Sequence, residues 1–184
     1  RSGHEINIKS GSVVKASGPN SSAVSFDFGK NMLGEYAEER GSYIHTIGGE
    51  NQELGELEGA LVENFNVNGT IEASGDASNA IYISPNAYVK NINIQKDAKI
   101  DGAIVSRWNS ERSGDYGPVQ SRNKLYTDIN FGADNNGNLD SDYAGEFNST
   151  IDGDSVVEGE TKNTLRMNLS GTLNMNRADI NVYN

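Results

Sequence analysis

Three groups of residues in this 184-residue chain have types and spacings that could do chemistry. The first is the run Asp134-Asn135-Asn136-Gly137-Asn138-Leu139-Asp140-Ser141-Asp142, where Asp134, Asn136, Asn138, Asp140 and Asp142 offer oxygen donors on alternate residues. Hard oxygen sets suit Ca²⁺, so a calcium ion, if the chain takes one, is expected here. The glycine does not stand where an EF-hand loop needs it and no glutamate closes a twelfth position, so the competing reading is a solvated Asn/Asp turn. The second group is Arg107, Trp108, Arg112 and Tyr116, in a segment that holds the only Trp. Aromatic faces beside cations can stack on sugars or anchor a protein partner. The competing reading folds Trp108 back over the body of the protein. The third group is the carboxylates Asp97, Asp101, Asp115, Asp128, Asp152 and Asp154. Two carboxyls held ~5–10 Å apart can hydrolyse glycosides, but with 26 acidic residues in the chain, chance pairs are expected.

Other chemistries find no residues. A Ser-His-Asp site needs a His poised beside a nucleophile. The two histidines are His4, at one extremity, and His45, in SYIHTIGG, which has no nucleophile elbow. With no Cys, thiolate zinc sites, disulfides and a cysteine nucleophile are all excluded. A net charge of −11 without a basic stripe argues against nucleic acid and against adhesion to anionic membranes. No apolar run approaches the ~20 residues that span a bilayer. No catalytic set is expected in this segment, and no cofactor beyond the calcium option.

What positions these residues is a repeat. Residues 15–26 (KASGPNSSAVSF) and 72–83 (EASGDASNAIYI) align, with Ala16, Ser17, Gly18, Ser21 and Ala23 matching Ala73, Ser74, Gly75, Ser78 and Ala80. The triplet apolar–Asn–apolar recurs as Ile6-Asn7-Ile8, Phe65-Asn66-Val67, Ile92-Asn93-Ile94 and Met167-Asn168-Leu169. FNVNGTI (65–71) and MNLSGTL (167–173) align without gaps. One strand-and-turn unit used again and again fits a chain that coils and lays each turn on the last. The strands are short and alternate with period two, as in Val24/Phe26, Ile81/Ile83 and Ile129/Phe131. Between them stand Ser10-Gly11, Asn68-Gly69, Asp101-Gly102, Asp152-Gly153 and Ser170-Gly171, which accept the backbone angles of tight turns. The expected fold is all-β: a right-handed, single-stranded parallel β-helix with side loops, its hand following the preference of parallel crossovers. It forms one segment over 1–184, with excursions at about 30–60, 107–124 and 133–145. Residues 64–106 carry the strongest pattern, and 3–29 and 125–184 also read as solenoid. Asn at turns is expected to stack inward between coils. The expected core is Ile8, Val14, Val24, Phe26, Val67, Ile71, Ile81, Ile83, Ile92, Ile94, Ile100, Ile104, Ile129, Phe131, Leu169, Leu173 and Ile180.

The stretches NAIYISPNAYVKNINIQKDAKIDGAIVSRW (79–108), YTDINFG (126–132) and SGTLNMNRADINVYN (170–184) resemble the passenger region of Gram-negative autotransporters, nearest to the subtilisin-like serine protease autotransporters. The resemblance spans about residues 60–184. It implies type V secretion, display at or release from the bacterial surface, and a C-terminal outer-membrane barrel elsewhere in the parent chain. No subtilisin motif is present, so the resemblance supplies no catalytic residue here. The opening Arg1-Ser2-Gly3-His4 reads as an internal boundary. The expected role is an extracellular stem and adhesive surface that meets a host protein or glycan, a virulence function. The alternatives are a polysaccharide lyase or hydrolase on the same scaffold, or support for an upstream protease domain.

Overall fold

A computed structural model describes residues 3–27, 44–47, 50–53, 60–84, 87–108, 126–157 and 160–183. Among them there is no helix. The chain winds through successive three-strand coils. The first is β1 (Gly3–Ile8), β2 (Val13–Ala16) and β3 (Ser22–Phe26). An antiparallel hairpin, β4 (Ile44–Ile47) and β5 (Glu50–Glu53), precedes the second coil, β6 (Val62–Val67), β7 (Thr70–Ala73) and β8 (Asn79–Ile83). The third is β9 (Val89–Ile94), β10 (Lys99–Asp101) and β11 (Ala103–Ser106), and the fourth is β12 (Thr127–Phe131), β13 (Ala144–Glu146) and β14 (Thr150–Asp152). A second antiparallel hairpin, β15 (Asp154–Val157) and β16 (Glu160–Asn163), leads to the last coil, β17 (Leu165–Leu169), β18 (Thr172–Asn174) and β19 (Asp179–Asn181).

Equivalent strands of successive coils pair in parallel. One sheet is β1-β6-β9-β12-β17, a second is β3-β8-β11-β14-β19, and the third is β2-β7-β10 followed, after a break, by β13-β18. The architecture is therefore the parallel β-helix that the repeat requires. The repeat seen in the sequence is the register itself: Ala16 pairs with Ala73, Val24 with Ile81 and Phe26 with Ile83.

Stacking puts like on like in the core. In the first sheet the rows are Ile6–Phe65–Ile92–Ile129–Met167 and Ile8–Val67–Ile94–Phe131–Leu169. In the second the row is Val24–Ile81–Ile104–Ile151–Ile180. The middle members of each row are buried, and the end members are not. That corrects the expectation for Leu169, which is 40 % exposed, its strand β17 pairing with β12 alone among the described residues. Side chains outside the expected core complete it: Phe65, Trp108, Phe147, Ile151, Leu165 and the bodies of Tyr88 and Tyr143. Segment 125–184 is also not solenoid throughout, since the 154–163 hairpin leaves the coil.

Close packing demands glycine at Gly69 and Gly145 for two different reasons. A Cβ at Gly69 would stand 2.6 Å from the carbonyl oxygens of Lys9 and Ser12, so the Asn-Gly-Thr corner admits no larger residue. At Gly145 the reason is different. Gly145 pairs with the core residue Leu173, and a Cβ there would stand 1.9 Å from Tyr143 Oη. The Tyr143 ring thus fills the interior slot that Gly145 leaves empty.

Candidate binding surface

In the first sheet, Phe65 and Val67 both point into the core, so Asn66 between them projects from the opposite face. Its equivalents Asn7, Asn93, Asn130 and Asn168 lie in one register row. They form a hydrogen-bonded ladder along the whole stack. Asn66 Nδ2 donates to Asn7 Oδ1 at 3.0 Å, Asn93 to Asn66 at 2.8 Å, Asn130 to Asn93 at 2.9 Å and Asn168 to Asn130 at 2.8 Å. Every link runs the same way, each amide donating towards the preceding coil. The expected inward stack at the turns is therefore replaced by an outer ladder within the strands. A fifth triplet, Ile129-Asn130-Phe131, joins the four in the sequence pattern.

An outer polar row ought to be wet, yet Asn93 is fully buried and Asn66 nearly so. The 132–143 loop covers it: a Cβ at Gly137 would lie 3.8 Å from Asn93 Oδ1 and 3.9 Å from Asn130 Nδ2. Gln95 Nε2 donates to Asn135 Oδ1 and ties the loop down. A shallow groove of about 650 Å³ runs along this contact, lined by Asn68, Gln95, Lys96, Asp134, Asn135 and Asn138 among others.

The oxygen-rich run lies in that loop. Asp134 Oδ1 accepts the backbone N–H groups of Asn136 (2.8 Å) and Asn138 (2.9 Å), and Oδ2 accepts Asn138 Nδ2 at 3.0 Å. The Asn138 side chain foremost, with these N–H groups, holds the Asp134 carboxyl below the ordinary range. Asp140 Oδ1 accepts the N–H of Asp142 at 2.9 Å. Both carboxylates thus organise their own turns. Among the described residues no three His, Asp or Glu side chains converge on a point that could hold a metal ion.

Trp108 is fully buried and stacks on Tyr88, with ring centroids 5.6 Å apart. Its ring offers nothing to a ligand at the surface. Burial first, then the nearby carboxylates of Asp128 and Glu63, push the Tyr88 phenol up to about 12. Arg107 is half-buried. Its guanidinium meets Asp152 Oδ2 at 2.7 Å and donates to the carbonyl of Asp154 at 2.9 Å, which fastens the base of the β15–β16 hairpin. Burial alone would raise the Asp152 carboxyl, but Arg107 and the N–H of Asp154 outweigh it and the net displacement is downward. Arg112, Tyr116 and Asp115 lie outside the described residues. Of the remaining carboxylates, Asp128 is bound bidentately by Arg166 (2.8 and 2.7 Å), and Asp154 Oδ1 accepts Asn163 Nδ2 at 3.2 Å. Asp97 and Asp101 stand exposed on the third coil, and His4 and His45 stand in β1 and β4.

The structure assembles one surface group that the sequence pattern did not single out. Tyr126 and Tyr183 stack with centroids 4.7 Å apart, and the Arg166 guanidinium lies 4.8 Å over the Tyr126 ring. Tyr183 is 50 % exposed. No family model, curated protein or solved structure matches this chain. A functional reading therefore rests on the coil stack and on these surfaces. The Tyr126–Tyr183–Arg166 group, with Tyr183 and Arg166 exposed and Tyr126 half-buried between them, has an aromatic face and adjacent charge of the kind that stack on sugar rings or anchor a protein loop.

Proposed function

We propose that this chain is a stem segment and binding surface of an exported bacterial β-helix, of the kind that autotransporter passengers use. The observation that carries the reading is the unbroken side-chain order along the stack. Apolar rows fill the interior, an asparagine ladder runs the full length of one face, and the ionised side chains with resolved partners are engaged in structural pairs. A rod of this kind transmits position and displays loops, and each finished coil templates the next as it forms. The Tyr126–Tyr183–Arg166 group is the proposed contact for a host glycan or surface protein. The test is accessibility on the intact source cell: antibodies to the chain should label unpermeabilised cells, and external protease should remove the label. Label that appears only after lysis would sink the reading.

A further inference from the structure

We propose that the break in the third sheet is a docking slot for an extended peptide strand that carries an acidic, a small and a basic residue in that order. The third and fourth coils stack as a continuous ladder on two of their faces, where β9 pairs with β12 and β11 with β14. On the remaining face β10 pairs with β7 and β13 with β18, and among the described residues β10 and β13 do not pair with each other. A slot of about 650 Å³ opens there, lined by Lys96, Lys99, Ile100, Asp101, Tyr143 and Glu146 among others. That volume is in the range of ligand clefts. The slot lies inside the stack, with β7 and β2 continuing beyond β10 and β18 beyond β13.

The walls of the slot are two strand edges. The Lys99 N–H donates to the carbonyl of Gly69, so Lys99 and Asp101 turn their backbone groups to the second coil. Ile100, between them, turns its N–H and C=O into the slot. Opposite, the Thr172 N–H donates to the Tyr143 carbonyl and the Phe147 N–H to the Asn174 carbonyl. Tyr143, Gly145 and Phe147 therefore face the last coil, and Ala144 and Glu146 turn their backbone groups into the slot. One ligand chemistry matches two facing rows of N–H and C=O groups: an extended backbone laid between them. Side chains then select its sequence. Lys99 pairs with Thr70 and Ala144 with Thr172, and these threonines are equivalent in FNVNGTI and MNLSGTL. Lys99 is thus level with Ala144, and Asp101 with Glu146, all four exposed, while Ile100 packs on the core. The end where the strands begin carries Lys99, with Lys96 also lining the slot, and the other end carries Asp101 and Glu146. A strand parallel to its walls sets an acidic residue against Lys99 and a basic residue between Asp101 and Glu146, because opposite charges attract across strands and like charges repel. Its middle residue faces inward, where the Tyr143 ring already occupies the space at Gly145 and only a small side chain fits.

The test uses a synthetic, fluorescently labelled heptapeptide with aspartate–alanine–lysine at its centre and threonine and valine on either side. In the free chain the Ile100, Ala144 and Glu146 amides should exchange with solvent about tenfold faster than those of Lys99, Asp101 and Gly145, and saturating peptide should slow the first three by about tenfold, as NMR reads them. Anisotropy should give a Kd below about 1 mM. The peptide with its aspartate and lysine exchanged, or with an N-methyl group on its alanine, should bind about tenfold more weakly. Lys99→Glu, at an exposed position, should weaken binding of the original peptide and strengthen binding of one with lysine in place of its aspartate; circular dichroism confirms that the variant folds. No change in anisotropy up to about 1 mM overturns the proposal. So does binding that ignores the charge exchange, the N-methyl group and Lys99→Glu. Slot amides already protected in the free chain overturn it too, and so does protection by maltohexaose but not by the peptide, which would make the slot a sugar cleft.

Discussion

Replacing Asn93 with alanine tests whether the ladder is a structural member or a by-product of strand pairing. Asn93 is the central rung. It donates to Asn66 at 2.8 Å and accepts from Asn130 at 2.9 Å, and all three are buried at 0 %, 2 % and 6 % exposure. Asn93→Ala removes both bonds and leaves Asn66 Oδ1 and Asn130 Nδ2 without that partner, in a place that water does not reach. An orphaned buried polar atom costs about 1–3 kcal/mol, so two give a loss of about 2–6 kcal/mol, a large share of the roughly 5–15 kcal/mol that holds an ordinary domain together. Asn7→Ala is the control. Asn7 is exposed, and Asn66 Nδ2 keeps Glu5 Oε1 at 3.2 Å, so the expected cost is about 0.5 kcal/mol. Asn93→Asp adds a directional check. The new carboxylate can accept from Asn130 but faces Asn66 Oδ1 with no proton to give. Burial raises its native pKa, so the folded state gains from protonation and the deficit relative to the unaltered chain should narrow as pH falls. Urea unfolding followed by far-UV circular dichroism measures all three. If Asn93→Ala and Asn7→Ala agree within about 0.5 kcal/mol, the ladder contributes nothing beyond the backbone ladders and the reasoning fails.

Four further outcomes follow from particular contacts. Gly145→Ala should cost about 1–3 kcal/mol by overpacking against the Tyr143 ring, and much of that cost should vanish in a Tyr143→Ala background; additive losses in the double-mutant cycle would contradict the shared slot. Asp152→Asn should flatten the acid limb of stability. The native Asp152 pKa lies below its unfolded value, so its contribution is present above about pH 4 and is lost as pH falls through the native value; a difference between the two proteins that stays constant from about pH 6 to about pH 2 would be inconsistent with this. Ala77 holds φ of 50°, at the turn position where the first coil carries Asn20 at 52°, so Ala77→Asn should stabilise by about 0.5 kcal/mol in thermal unfolding, and a lower melting temperature would count against the repeat. Because Asp134 and Asp140 already accept the N–H groups of their own loop, millimolar Ca²⁺ should leave the melting temperature unchanged, and a rise that EDTA reverses would make the loop a cation site.

The parts of this molecule that a sequence can reveal are those that repeat. Stacking makes the sequence distance between equivalent residues into a spatial contact, so Ala16 with Ala73 and Val24 with Ile81 could be aligned by eye and proved to be register partners. What was illegible depends on a choice between two places that suit a residue equally. An asparagine between two core residues must leave the core, but only the 132–143 loop, folding back over the sheet, makes that position dry. Trp108 followed by polar sequence reads as well as an exposed anchor as a lid, and it is the neighbouring Tyr88 ring, supplied from a different stretch of chain, that draws it in. Residues 154–163 carry no period-two pattern that marks them as strands, and there β15 and β16 pair antiparallel while every strand of the coils pairs in parallel. The Tyr126–Tyr183–Arg166 group shows the same limit at the surface: its members are scattered along the chain, Tyr126 and Arg166 meeting because β12 and β17 are adjacent rungs and Tyr183 joining them after β19, where its N–H donates to the carbonyl of Leu165. Function in a solenoid is therefore written across coils rather than along them, and its surface groups become visible only when residues one coil apart are considered together.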